Sequence, residues 1–358
     1  MAYTTIDDPS AYFQTKTYTG TDASPQAFTL DGNSDLQPDW VWIKNLGYAN
    51  KHVLFDSVRG VEKSLTSNST AAEVNQNSDG GYLSAFNSDG FTLTEGSSSD
   101  NDTNDNRYNY AAWNWKAGTS VSGNTTGSGT AKAYSGSVST DAGFSIITYL
   151  GNGTAGHTIP HHLGVVPQMI IVKERANANS WYVYHHSLGN TKNLYLNGTH
   201  AAQTDGVWND TTPTSSVFTL VDGAPVNRND GTTVAYCFAE KQGYSKFGSY
   251  IGNNNANGPF VHTGFKPAWL MIKIASGTTN NWMMYDNKRS LFNLTDDILE
   301  ANNTGAEGEG LGIDLLSNGF KIRTAAGNGT NFNTGKYIYM AFAEAPMVTS
   351  TGIPTTAR

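Results

Sequence analysis

One seven-residue stretch occurs three times in the chain: Pro38-Asp-Trp-Val-Trp-Ile-Lys44, Pro167-Gln-Met-Ile-Ile-Val-Lys173 and Pro267-Ala-Trp-Leu-Met-Ile-Lys273. Each opens on proline and closes on lysine. Between them the residues are apolar on both faces, apart from Asp39 and Gln168. Successive side chains of a strand point to opposite faces, so this pattern marks a strand covered on both sides. Proline is tolerated at the first position, where it need not donate into a ladder. The chain therefore has to build three doubly covered strands.

The same landmarks surround each copy in the same order. A Tyr-x-Gly element precedes it (Tyr18 to Gly20, Tyr149 to Gly151, Tyr250 to Gly252), and the gap from that tyrosine to the lysine is 26, 24 and 23 residues. The shared glycine fits a strand end where the backbone turns with positive φ. After the lysine comes a strand ending in Asp56, His185 or Asp286, with Arg59 and Arg289 three positions beyond the two aspartates. An exposed Asp–Arg turn of that kind is worth only ~0–1 kcal/mol. Then follow Leu65 to Asn68, Leu194 to Asn197 and Leu299 to Asn302, a turn and strand at Phe91, Phe218 and Phe320, and an aromatic closing strand.

Seven or eight strands in about 100 residues is the density of an antiparallel β-sandwich or jelly roll. The expected fold is all-β, three tandem sandwich repeats at 13–118, 142–243 and 244–346. An N-terminal arm (1–12), a Gly/Ser/Thr linker (119–141) and a loose tail (347–358) complete the division. The arm reads either as a flexible leader or as an attachment segment that orders on a neighbouring subunit. The linker sets the first repeat apart, whereas the second and third, joined almost without spacer, are expected to pack as a rigid pair. The lysine is expected to meet the Asp or His that ends the next strand.

Composition narrows the function. Formal charge is −8, and no Lys/Arg cluster occurs, so the basic face that nucleic acid requires is missing from the sequence. The first residues carry no basic and apolar signal pattern, and no apolar run approaches the ~20 residues of a membrane-spanning helix. The chain thus reads as made in a cytosol and not inserted in membrane. Cys237 is the only cysteine, which excludes an internal disulfide framework and suits a buried, inert thiol.

No chemical motif survives its own geometry. Gly151-Asn-Gly-Thr-Ala-Gly156 matches a dinucleotide loop, but His157-Thr-Ile-Pro160 does not start the helix such a loop must open. Asp100-Asn-Asp102-Thr-Asn104-Asp105 begins like a calcium loop yet lacks the glycine and the closing glutamate of one. His157, His161, His162, His185 and His186 cluster in the second repeat without zinc-site spacing, and read as surface or strand-end residues. Asp56 and Asp286 recur at equivalent positions and read as structural. Tryptophans and tyrosines exposed on a surface would stack on sugars, but most lie on the repeat strands. No catalytic, cofactor-binding or metal-ligating residue is assigned, and no cofactor or enzymatic activity is expected.

The leader Tyr3-Thr-Thr-Ile-Asp-Asp-Pro-Ser-Ala-Tyr-Phe-Gln14, the stretch Leu36 to Asn45, Asp56-Ser-Val-Arg-Gly60, Ser88-Asp-Gly-Phe91, Ala112-Trp-Asn-Trp-Lys-Ala-Gly118, Gly143 to Tyr149 and Gly243 to Tyr250 together resemble a family of structural proteins from marine podoviruses of cyanobacteria and similar hosts. The resemblance implies a non-enzymatic virion component on the particle exterior, in first place a capsid decoration (cement or knob) protein. A tail fibre or adhesin for a host-surface glycan is the alternative, and a polysaccharide depolymerase the third. It further implies other virion proteins as partners (the major capsid protein or tail proteins) and a homo-oligomer on the particle.

Overall fold

Each Pro-to-Lys copy lies inside its own sheet in the computed structural model, which describes residues 2–75, 81–96, 102–223, 225–325 and 329–355. The first unit contributes β1 (Phe13–Thr19), β2 (Gln26–Phe28), β3 (Trp40–Asn45), β4 (His52–Asp56), β5 (Lys63–Thr66), β6 (Val74–Asn75), β7 (Tyr82–Phe86), β8 (Phe91–Thr94) and β9 (Asn109–Trp115). After it come β10 (Thr119–Asn124), β11 (Thr126–Gly127) and β12 (Ala133–Ser139). The second unit holds β13 (Phe144–Leu150), β14 (His157–Pro160), β15 (Met169–Glu174), β16 (Tyr182–His185), β17 (Leu194–Tyr195), β18 (Val217–Leu220) and β19 (Thr232–Phe238). The third holds β20 (Ser245–Ile251), β21 (Phe260–His262), β22 (Phe265–Ile274), β23 (Trp282–Asp286), β24 (Thr295–Glu300), β25 (Gly308–Leu316), β26 (Gly319–Ile322) and β27 (Lys336–Pro346). All the ladders are antiparallel, and a short 3-10 turn, Pro9–Ala11, is the only helical element among the described residues.

One strand order recurs: β1-β9-β3-β4-β5, β13-β19-β15-β16-β17 and β20-β27-β22-β23-β24. A smaller layer covers one face of each sheet, formed by β2-β8-β7, by β11-β14-β18 and by β25-β26-β21. Alternation along the central strand decides what covers the other face. Val41 and Ile43 face the first unit's own core with Phe91 and Leu93. Trp40 and Trp42 point the opposite way, into a second core shared with Met169 and Ile171 of the second unit and Trp269 and Met271 of the third. Ile170 and Val172, and Leu270 and Ile272, fill the separate cores of those units. The three sandwiches thus stand back to back around one apolar axis.

That axis is layered with aromatic rings. Phe13 and Phe144 begin β1 and β13, Phe247 lies two residues into the equivalent β20, and Trp115, Phe238 and Phe342 lie on the neighbouring closing strands. Rings from different units touch: Trp40 stacks on Tyr236 with centroids 4.6 Å apart, and Phe13 on Phe342 at 5.2 Å.

Several sequence expectations are corrected. The stretch 119–141 is not a linker. β10 and β12 extend the second unit's sheet beyond β13 through regular ladders, because backbone pairing at a sheet edge asks little of side chains that stay in water. The first unit is not set apart, since it shares the central core equally. The arm is not loose but packs on its own chain: Tyr3 Oη donates to the Gly264 carbonyl (2.7 Å), Thr4 Oγ1 to that of Gln242 (2.8 Å), and Ile6 enters the shared core. The tail folds back through a bridge between Val348 and Pro354, and Ser350 N donates to Asp7 at 2.6 Å.

Candidate functional site

The three lysines that close the repeated strand are fully buried. Lys44 Nζ donates to the carbonyls of Asn45 (2.6 Å) and Tyr48 (3.2 Å). Lys173 Nζ donates to Thr70 (3.1 Å), Asn177 (3.3 Å) and Asn179 (2.9 Å). Lys273 Nζ donates to Thr199 (2.9 Å) and Asn280 (2.7 Å). Thr70 and Thr199 belong to the preceding unit, so two of the clamps bridge units. The expected contact with the Asp or His ending the next strand does not form. Antiparallel register sets Lys44 opposite His52 and sends Asp56 to the far end, opposite Trp40.

Burial away from water disfavours an ammonium. It lowers Lys44 and Lys173 to about 8 and Lys273 to about 7. A lysine titrating near neutrality suits nucleophilic or base catalysis in an open cleft. These ammonium groups are instead enclosed, with their protons committed to carbonyls, and each holds the hairpin after its strand in one shape.

Around the lysines the three units repeat one set of contacts and close a ring. Glu73 N donates to Arg175 O, Ala202 N to Ala275 O and Glu307 N to Leu46 O, at 2.8, 3.0 and 2.9 Å. These bonds run from first unit to second, second to third and third back to first. The indole of Trp181 donates to Thr66 O and that of Trp282 to Tyr195 O, both at 2.9 Å. His52 takes the equivalent place beside the Glu300 carbonyl. The recurring asparagine of Leu-x-x-Asn reaches back to the start of the strand before it: Asn68, Asn197 and Asn302 accept from His52 N, Trp181 N and Trp282 N at 2.9, 2.8 and 2.8 Å.

Toward the other end of the axis the seams become ionic. Asp56 and Arg59 form a fully buried pair, contrary to the exposed turn expected. Asp56 also accepts from Tyr236 Oη of the second unit (2.7 Å), while Arg59 reaches Glu73 (3.1 Å), itself paired with Arg175. Asp286 and Arg289 repeat this at 2.6 Å, with Trp113 Nε1 of the first unit donating at 3.0 Å and Glu307 pairing with Arg289 at 2.7 Å. Burial opposes the charge on Arg59 and Arg289, but the neighbouring carboxylates hold both above the ordinary arginine range. The third seam differs. The residue equivalent to Trp113 and Tyr236 is Met340, which has no proton to give. There His185 replaces the aspartate and meets the Tyr339 carbonyl at 3.3 Å.

The remaining sequence candidates are brought into no common site. Of the histidines, His157, His161 and His185 are buried rather than superficial. His157 bridges Asn227 and Thr125 (2.7 Å each), His161 meets Thr214 O, His162 meets Tyr134 Oη and His186 meets Phe247 O. Burial depresses His161 to about 4 and His185 to about 3. Among the described residues no group of His, Cys, Asp and Glu could hold a metal ion. Cys237 is buried, and burial pushes its thiol up. All eight tryptophans are inside, so none offers a face to a sugar.

Gly151 is structural, but the positive φ expected of the Tyr-x-Gly glycines is not found at Gly20, Gly151 or Gly252, and close packing is what requires glycine there. Added Cβ atoms at Gly20, Gly151 and Gly252 would meet the carbonyls of Asp105, Arg228 and Phe332 at 2.1, 2.3 and 2.2 Å. The same loops are tied by the Tyr-x-Gly tyrosines: Tyr18, Tyr149 and Tyr250 donate to Thr103 O, Val226 O and Thr330 O at 2.6, 2.7 and 2.7 Å. The calcium-like stretch is one of these loops, with Asp100 and Asn101 outside the described residues. Its Asn104, with Asn227 and Asn331, is a buried plug accepting from Thr21 N, Asn152 N and Asn253 N. The sequence analysis missed these asparagines, although each stands nine positions before Trp113, Tyr236 or Met340.

The seam between third and first units opens into a polar cleft of about 220 Å³, lined among others by Gln14, Thr15, Asp31, Asn287, Lys288 and Glu344. Lys288 bridges it to Asp31 at 3.1 Å, and the buried Thr15 hydroxyl faces no hydrogen-bond partner. Among the described residues no helix is long and apolar enough to cross a membrane.

The model of one protein family, described as a domain of unknown function (DUF7483), matches residues 8–346. No curated protein and no solved structure matches the chain.

Proposed function

We propose that this chain, which belongs to the DUF7483 family, is a non-enzymatic structural protein of a phage particle, exposed on the exterior and bound to the capsid as a decoration protein. The observation that carries the reading is the closed ring of three sandwiches around one core. Buried ion pairs and clamped lysines are spent on fixing shape, and the described residues assemble no nucleophile, base and electrophile in a shared cleft. Shape held to this degree suits a part that serves by fitting others. Cryo-electron microscopy and densitometry of particles that carry the chain test it. Hundreds of copies on the shell support decoration, about a dozen at the tail support a fibre, and none at all refutes a virion role.

A glycan-binding adhesin is the second reading. What favours it is the cleft between third and first units, whose amides and carboxylates suit a polyhydroxylated ligand. A glycan array blank for the full chain removes it.

A further inference from the structure

We propose that β10 is a docking edge for a second copy of this chain: two β10 strands pair antiparallel about a two-fold axis at Ser122 and join two molecules through one continuous sheet.

β10 ends the second unit's sheet, with β12 on one side and no strand on the other. Thr125 N donates to Lys132 O at 2.7 Å, which sets the phase of the β10–β12 ladder. Bonding and non-bonding positions alternate along an antiparallel pair. Thr119, Val121 and Gly123 therefore bond to β12, while Ser120, Ser122 and Asn124 turn their N–H and C=O groups outward. Among the described residues those outward groups meet no hydrogen-bond partner. Val121 is half-buried and the other residues of the strand are exposed, so the edge is open along its length.

The corresponding edges of the other two units are guarded. An open edge invites pairing, and natural sheets protect theirs with lysines or with a covering segment. β1 carries Lys16, and its Gln14 side chain binds Gly32 and Ser34 of the loop beside it. β20 carries Lys246, and its Phe247 carbonyl meets His186 Nε2 at 2.9 Å. β10 has neither device. From Ala117 to Ala131 no residue is charged, and Lys132, just beyond, is held by Asp230.

Self-complementarity names the occupant. A two-fold axis at Ser122 sets Ser122 against itself and Ser120 against Asn124 of the other copy. Each outward pair exchanges two bonds, so the new ladder closes with about six. The side chains it brings together are all neutral, whereas the chain as a whole carries −8 and repels a copy over most of its surface. A second copy also arrives with its edge already held straight by β12, so no segment has to order on binding. Pairing consumes both edges, and association stops at two.

Sedimentation of the full chain from about 1 µM to about 500 µM, the span in which so small a contact is half-associated, is expected to show a dimer that grows with concentration. Hydrogen exchange at the upper end is expected to slow at the Ser120, Ser122 and Asn124 amides. S122P removes an outward N–H that the β12 ladder does not use. It is expected to raise the dissociation constant by about tenfold or more, with the melting temperature unchanged. S122K and S122E each set like charges opposite one another and are expected to weaken the dimer. An equal mixture of the two is expected to restore it, because position 122 meets itself. A chain monomeric throughout, a dimer indifferent to S122P, a mixture no better than its components, or exchange slowed only elsewhere would each overturn the pairing. Whether the chain is found on particles bears on the virion role alone.

Discussion

Tyr236 of the second unit donates its phenolic proton to Asp56 of the first, 180 residues earlier, at 2.7 Å. Trp113 and Asp286 make the same contact between first and third units. Where the donor position holds Met340, the acceptor position holds His185. Donor and acceptor change together, so each seam is matched to its own two units.

Removing one member of such a pair is costly because the other stays buried. Y236F leaves Asp56 without one charge-assisted bond and should lower stability by roughly 1.5–3 kcal/mol. D56A strands Arg59 and should cost about 3–5 kcal/mol. Urea midpoints with unchanged slope measure both; a D56A chain as stable as the parent would show that the seam is not under load.

The third seam can be rewritten. H185D alone buries a carboxylate with neither arginine nor donor, since the position equivalent to Arg59 is Leu188. It should destabilise by about 3 kcal/mol or more. Adding L188R and M340Y supplies both partners and should recover at least half, a coupling that a mutant cycle reads directly. If the triple variant is no better than H185D, the seams are not equivalent.

Stability should climb with pH well into the alkaline range. Lys44 and Lys173 titrate at about 8 and Lys273 at about 7 in the fold, against ~10.4 when unfolded. Between those values the unfolded chain binds more protons, so stability rises with pH. The depressed histidines, His161 near 4 and His185 near 3, add a rise of the same sign up to ~6.5. Above ~10 the sign reverses: Tyr18, Tyr149 and Tyr250, raised by burial, keep protons that the unfolded chain releases. A maximum near pH 9–10 is expected, and K273M should flatten the approach to it. Urea midpoints from pH 5 to 11 that decline steadily above pH 8 would contradict the buried lysines.

The arm packs into the fold of its own chain. Deleting residues 2–12 withdraws Ile6 from the shared core and Tyr12 from Tyr244, whose ring centroid lies 5.9 Å away. The loss should be about 3 kcal/mol, the order of one or two large side chains leaving a core. An unchanged melting temperature would return the arm to the status of a leader.

Much of each sandwich was legible locally. The apolar run from Trp40 to Ile43 announced burial on both faces, and the recurring Tyr-x-Gly marked a fixed corner. Nothing in that run told what covers the second face, because Trp42 looks the same under a layer of its own unit or against a neighbour. Ring closure depends on partners as far apart as Trp113 and Asp286, whose pairing leaves no periodic trace. The strand from Thr119 to Asn124 was read as linker because its serines and glycine announce flexibility, whereas its register comes from β12. Of the candidate site, the lysines were visible and their carbonyl partners were not, since a backbone acceptor has no side-chain signature.

Closure of the ring also sets an order in time. Trp113 leaves the ribosome 173 residues before Asp286, an interval of roughly 10–35 s at 5–20 residues per second. Through most of it the first sandwich carries Trp115 without the third unit's Trp269 and Phe342 that cover it. The nascent chain is therefore most exposed to self-association just before its last third emerges, and a synonymous pause placed there should lower the yield of folded protein without altering a single residue.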